Sequence, residues 1–258
     1  MITARNFKLN KNNGFTLVEL AIVMIIIGLL VGGVLKGQEL VTNARVTGTI
    51  AQAKDLTGAA FIFKDAYRSL PGDIAAADAL VRIPGCAAAP GCAATHFQAV
   101  PNNGQITNAW GHGGIYTSFD TAAAVGWGTY PEDETLAFFM QLSLTDMIVG
   151  DFDQQTGPFM VTRFKNSYLV PTYFNVAGAP PGNYYRIMYN SNPNEFIRLV
   201  NPVSLQASIA ARIDTKMDDG NPAAGSVRAD SAATCRTGNN YNETNTDAQA
   251  CKFYILMH

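Results

Sequence analysis

Three groups of side chains in this 258-residue chain have the types and spacing to do chemistry. The first is a single carboxylate. Glu19 is the only charged residue in the apolar run from Leu17 to Leu35, and it stands third in that run. An unpartnered carboxylate costs about 3 kcal/mol at the centre of a membrane helix, so such a residue marks a function and requires a partner. The second group is four cysteines, Cys86, Cys92, Cys235 and Cys251. Their even number, in loop-like sequence beyond a membrane-type segment, predicts two disulfides in an oxidising compartment. Three connectivities are open, and the local pairs Cys86–Cys92 and Cys235–Cys251 are favoured because each closes a short loop. Zinc is disfavoured: no CxxC pair occurs, and His96, His112 and His258 lack ligand spacing.

The third group is Asp214, Asp218 and Asp219. On a helix, Asp214 and Asp218 share a face one turn apart, where like charges repel. All three stand near a helix C-terminus, where the dipole opposes acids. Calcium would relieve that conflict, since it accepts carboxylates together with loop carbonyls. The spacing is not that of an EF-hand loop, and neutralisation by Lys216, Arg212 or Arg228 is the competing expectation. Catalysis is not expected, because no GxSxG, HExxH or P-loop pattern is present. Glu132 and Glu134 look like an acid pair, but acids are the default in a first helical turn.

The elements that must hold these groups follow from periodicity. Val46, Ile50, Ala53, Leu56, Ala60, Phe63 and Tyr67 recur at spacings of three and four, the apolar stripe of an amphipathic helix. Arg45, Gln52, Lys54 and Asp55 form its polar face. Leu70-Pro71-Gly72-Asp73 stops it. One helix over residues 15–68 is therefore expected, crossing a membrane at about 17–35, with a globular head over 69–258. Residues 73–130 are rich in turn formers, with short strands expected between Ile106 and Phe119. Pro131 opens a second helix with Leu136, Phe139, Met140 and Leu144 on its apolar side. Segments 158–164, 167–174, 184–189 and 195–200 read as consecutive strands, which implies an antiparallel sheet. Asn201 and Pro202 are expected to start a helix that Gly220 and Pro222 end. Lys252 to Met257 reads as a last strand. The expected class is α+β, with the amphipathic half of the long helix on an antiparallel sheet.

Charge narrows the partners. Three of the 18 basic residues precede Gly14 and no acid does, so the rest carries 15 basic against 20 acidic residues, a net charge of −5. Nucleic acid is not an expected partner of such a surface. The basic stub would stay cytoplasmic under the positive-inside rule. A signal peptide would need a shorter apolar region ending in a small-x-small site. A plain anchor fits the length, and a buried core helix would not need the stub, but none of the three accounts for Glu19.

Gly14-Phe15-Thr16-Leu17-Val18-Glu19, behind a basic stub and ahead of an apolar run, resembles the processing motif of type IV prepilins. That family comprises the type IV pilins and the pseudopilins of type II secretion. The resemblance covers about the first fifty-five residues. It implies a leader over residues 1–14, cleavage after Gly14 by a prepilin peptidase, and methylation of the new amine on Phe15. Glu19 would then lie one helical turn from that amine, or reach the amine of a neighbouring subunit. An ion pair in an apolar bundle needs such a close partner, and in the family this pairing sets the register of assembly.

The resemblance further implies a pilin-like head, a C-terminal disulfide loop, calcium near that loop as in some pseudopilins, and no enzymatic activity. The expected partners are the peptidase, other pilin subunits in a helical filament, and an inner-membrane assembly platform. The expected location is the inner membrane, single-pass, then a periplasmic or extracellular filament. Where many major pilins carry Pro, this chain has Lys36. That substitution and the 244 residues after Gly14 lean towards an accessory pilin or pseudopilin. The alternatives are a pilus-tip adhesin or DNA-uptake minor pilin, in which Trp110 and Trp127 could serve as adhesive aromatics, and a membrane-anchored periplasmic enzyme or sensor.

Overall fold

The computed structural model describes residues 16–89, 91–93, 101–106, 134–150, 152, 159–174, 180–189, 205–247 and 250–257. Gly14 and Phe15 lie outside them, as do Trp110, Trp127, the strand expected at 195–200 and the residues beyond Ile106 where short strands were expected. Helix α1 runs from Leu17 to Tyr67. The chain divides into two compact units, Met1–Ala44 and Arg45–His258. In the first, the large apolar residues of α1 from Leu17 to Val41 are exposed. In the second, Val46, Thr49, Ile50, Ala53, Leu56, Ala59, Ala60 and Phe63 are buried. The change from an all-round apolar helix to a one-sided stripe in the sequence is the change from no protein core to one.

Helix α1 ends in a tight junction built on the Pro-Gly stop. Gly72 has φ 86°, and a Cβ there would lie 2.1 Å from the Glu134 carbonyl oxygen, so only glycine fits. Its N–H donates to Gln141 Oε1 at 2.6 Å, while Gln141 Nε2 donates to the Cys92 carbonyl at 2.7 Å. Asp73, also buried, accepts the N–H groups of Asn103 and Gly104 at 3.1 and 2.8 Å. Two buried polar side chains thus tie four chain segments together, each with its hydrogen bonds made. A short helix α2, Ala76–Arg82, follows in a region that reads as turns from sequence. Its seven residues are too few to show a helical period. Helix α3 spans Glu134–Leu144, while Pro131 lies outside the described residues.

The sheet has five antiparallel strands in the order β1-β2-β3-β7-β4. These are β1 (Met160–Val161), β2 (Ser167–Phe174), β3 (Gly182–Tyr189), β4 (Val227–Ala229) and, last in sequence, β7 (Phe253–Leu256). The final strand thus lies between β3 and β4. Pro171 is tolerated within β2 because, among the described residues, β1 pairs only with Tyr168 and Leu169 and leaves β2 without a sheet neighbour on that side at Pro171. Leu169, Tyr185, Ile187, Phe253 and Ile255 join the buried stripe of α1 in one apolar core. Phe138 of α3 meets Tyr185 edge to face at 6.2 Å. This is the expected α+β, pilin-like layout of a long helix with an antiparallel sheet.

Helix α4 corrects the sequence reading. It spans Ala207–Met217 and does not start at Asn201–Pro202. Leu205 forms an antiparallel bridge with Cys251, the two exchanging N–H···O bonds of 3.4 and 2.9 Å. A partner 46 residues away holds Leu205 extended, and no local pattern records that. A two-stranded hairpin, β5 (Arg236–Thr237) and β6 (Asn240–Tyr241), completes the described elements.

Candidate functional site

At its N-terminus, α1 begins with a reciprocal cap. The backbone N–H and hydroxyl of Thr16 each donate to Glu19 Oε2 at 2.8 Å, and the Glu19 N–H donates back to Thr16 Oγ1 at 3.3 Å. This is a capping box, which satisfies donors that a helix start otherwise leaves bare. The Thr-x-x-Glu spacing was legible in the sequence, but its apolar context drew attention to the charge alone. Thr16 is therefore a residue that sequence reasoning missed. It gives Glu19 hydrogen-bond donors within the chain, next to the position where an amine on Phe15 would arise.

The three aspartates converge at the end of α4. Asp214, Asp218 and Asp219 each offer a carboxylate oxygen, and these oxygens lie within 4.8 Å of one another. Asp214 is fully buried, the other two exposed. Burial pushes the Asp214 carboxyl up to about 6; hydrogen bonds from Tyr241 and Gly220 oppose that rise, and the nearby charges of Asp219 and Asp218 add to it. The Tyr241 hydroxyl donates to Asp214 Oδ2 at 2.8 Å and the Gly220 N–H to Oδ1 at 3.2 Å. Tyr241 sits on β6, so this bond fastens the hairpin to α4. Burial, with help from the Asp214 charge, holds the Tyr241 hydroxyl well above its usual range.

Each of the other two acids accepts backbone donors from the loop that follows. Asp218 Oδ2 takes the N–H and hydroxyl of Ser226 and, at 3.2 Å, the N–H of Val227. Asp219 Oδ1 takes the Asn221 N–H at 2.8 Å. Gly225 lies so close to Asp218 that a Cβ would overlap its carboxylate. Lys216 Nζ donates to Thr47 at 3.2 Å, and Arg228 donates to the carbonyls of Ala223 and Gly225 at 2.8 and 3.0 Å.

The cysteines form two disulfides, Cys86–Cys92 and Cys235–Cys251, with Cα separations of 5.4 and 4.7 Å. All four are buried. The first closes the turn around a short 3-10 helix, Cys86–Ala88. The second encloses the β5–β6 hairpin and anchors it beside β7, since Cys251 is also the bridge partner of Leu205.

The family model described as the prokaryotic N-terminal methylation motif matches residues 9–35. It covers Lys11 at the end of the basic stub, the Gly14–Phe15 junction, Glu19 and the apolar run, features that carried the resemblance. No curated protein and no solved structure matches the chain. The described part of that match is an exposed apolar helix long enough to cross a membrane, and it leads into an α+β head. By this motif and this layout the chain is similar to the type IV pilins and type II secretion pseudopilins, and the motif supports that resemblance over residues 9–35.

Proposed function

We propose that the chain is a non-catalytic structural subunit of a type IV pilus or a type II secretion-like filament, of accessory rather than major type. A prepilin peptidase cleaves after Gly14 and methylates Phe15. The apolar part of α1 then passes from the inner membrane into the filament, with the Glu19 carboxylate pairing with the new amine to set register. The observation that carries this reading is the methylation motif at residues 9–35 in register with a helix whose apolar part holds one charge, at Glu19. Co-expression with a prepilin peptidase, followed by mass spectrometry of the N-terminus, tests it. The expected product begins at N-methylated Phe15; an uncut chain, or one cut elsewhere, removes the foundation of the reading.

Calcium at Asp214, Asp218 and Asp219 belongs to the same proposal, supported by the proximity of their oxygens and by the raised Asp214 pKa. Bound calcium would draw the buried carboxyl into its ionised form. Melting of the purified chain should shift upward with millimolar calcium and not with magnesium, which demands a stricter octahedral shell. No shift rules calcium out.

A further inference from the structure

A sheet in a filament-forming protein has a particular hazard. Its two edge strands carry N–H and C=O groups that face away from the sheet, a template for a strand from another copy. Among the described residues the edge strands are β1 and β4. On β4, Ser226 and Asp230 bond towards β7, through Leu256 N–H to Ser226 O at 2.8 Å and Asp230 N–H to Lys252 O at 3.1 Å. Antiparallel alternation therefore turns the N–H groups of Val227 and Ala229 outward. Both are already taken. Val227 donates to Asp218 Oδ2 at 3.2 Å, and Ala229 donates to the Pro222 carbonyl at 3.0 Å. The α4 end and its loop occupy the place of a sixth strand without being one.

The other edge is closed by α1. Thr162 bonds inward to Ser167 at 2.8 Å, which turns Val161 and Arg163 outward. The Val161 carbonyl accepts from Gln52 Nε2 at 3.1 Å, and the Arg163 N–H donates to Thr49 Oγ1 at 3.4 Å. Gln52 belongs to the face of α1 that reads as polar and solvated, yet its amide serves the sheet edge.

We propose that both edges of the head sheet are closed by other parts of the same chain, the β1 edge by Gln52 and Thr49 of α1 and the β4 edge by Asp218 and the Pro222 carbonyl just after α4, and that Asp218 is the residue that shuts the β4 edge against strand addition by a second copy of this chain. Association is then left to the surface of α1. The role gives Asp218 a purpose at a helix C-terminus that the dipole disfavours, and it holds with or without filament assembly.

The test uses the full chain in detergent micelles, as Asp218→Ala and Asp218→Asn. Light scattering over a tenfold range of protein concentration and the amide I infrared band are recorded with and without EDTA. Asp218→Ala should associate with rising concentration and gain an intermolecular β band, while Asp218→Asn, whose Oδ1 still accepts the Val227 N–H, should match the parent. EDTA should change neither. The proposal is overturned if Asp218→Ala stays folded at the parent's size, if it unfolds without associating, or if Asp218→Asn associates as strongly as Asp218→Ala. None of these outcomes bears on N-terminal processing, which is read from the mass of the N-terminus.

Discussion

Glu19 has rival partners for one carboxylate. Thr16 holds it through two donors, and processing would add a cationic amine one turn away. An ionic partner is the stronger of the two in an apolar setting. Glu19→Ala is therefore expected to be cleaved normally while losing assembly. Immunoblots of precursor and mature bands, set against sheared filaments, check both halves. At the other end of the chain, Asp214 titrates far from its unfolded value of 3.8. Its folded pKa is raised, so the stability that it contributes is full below about pH 3.8 and is lost as pH rises through about 6. Thermal melts in metal-free buffer should therefore show this contribution declining between those values. Tyr241→Phe removes the hydrogen bond that favours the ionised form. It should cost about 2 kcal/mol at pH 7 and less at pH 4, where Asp214 is protonated. An equal cost at both values would mean that Tyr241 acts by packing alone.

At the level of elements, the spine of the head is the second part of α1. Phe63 is fully buried and stacks on Tyr67 at 4.4 Å. Phe63→Ala should cost about 4 kcal/mol in denaturant unfolding, the usual range for emptying a core aromatic site. Gly72→Ala should be as damaging for a different reason, a Cβ driven into the backbone of α3 together with a strained φ. The C-terminal disulfide closes a 16-residue separation, and its removal by Cys235→Ser with Cys251→Ser should cost about 3 kcal/mol. The stripe of α1 was readable because its period repeats over 22 residues, Val46 to Tyr67. Helix α2, strand β4 and the start of α4 were not, because each is short and is held by distant partners.

Across the whole molecule, the boundary at Ala44–Arg45 separates an exposed apolar helix from a head with its own core. A chain beginning at Arg45 keeps every buried residue of α1, so it should be soluble without detergent and melt cooperatively. Gel filtration and circular dichroism of residues 45–258 check this, and aggregation of that piece would count against the division. The sequence by itself determined the N-terminal motif, the class of the fold and the extent of the long helix, because each rests on local spacing repeated over many residues. It also picked out Asp214, Asp218 and Asp219, whose carboxylate oxygens the structure brings within 4.8 Å of one another at the end of α4. Only the tertiary structure decided that Asp218 and Gln52 serve the sheet edges, that Tyr241 reaches Asp214, and that the last strand inserts between β3 and β4. Those are pairings between residues far apart in the chain, fixed by which backbone donors burial leaves in need of acceptors, and no local pattern encodes them.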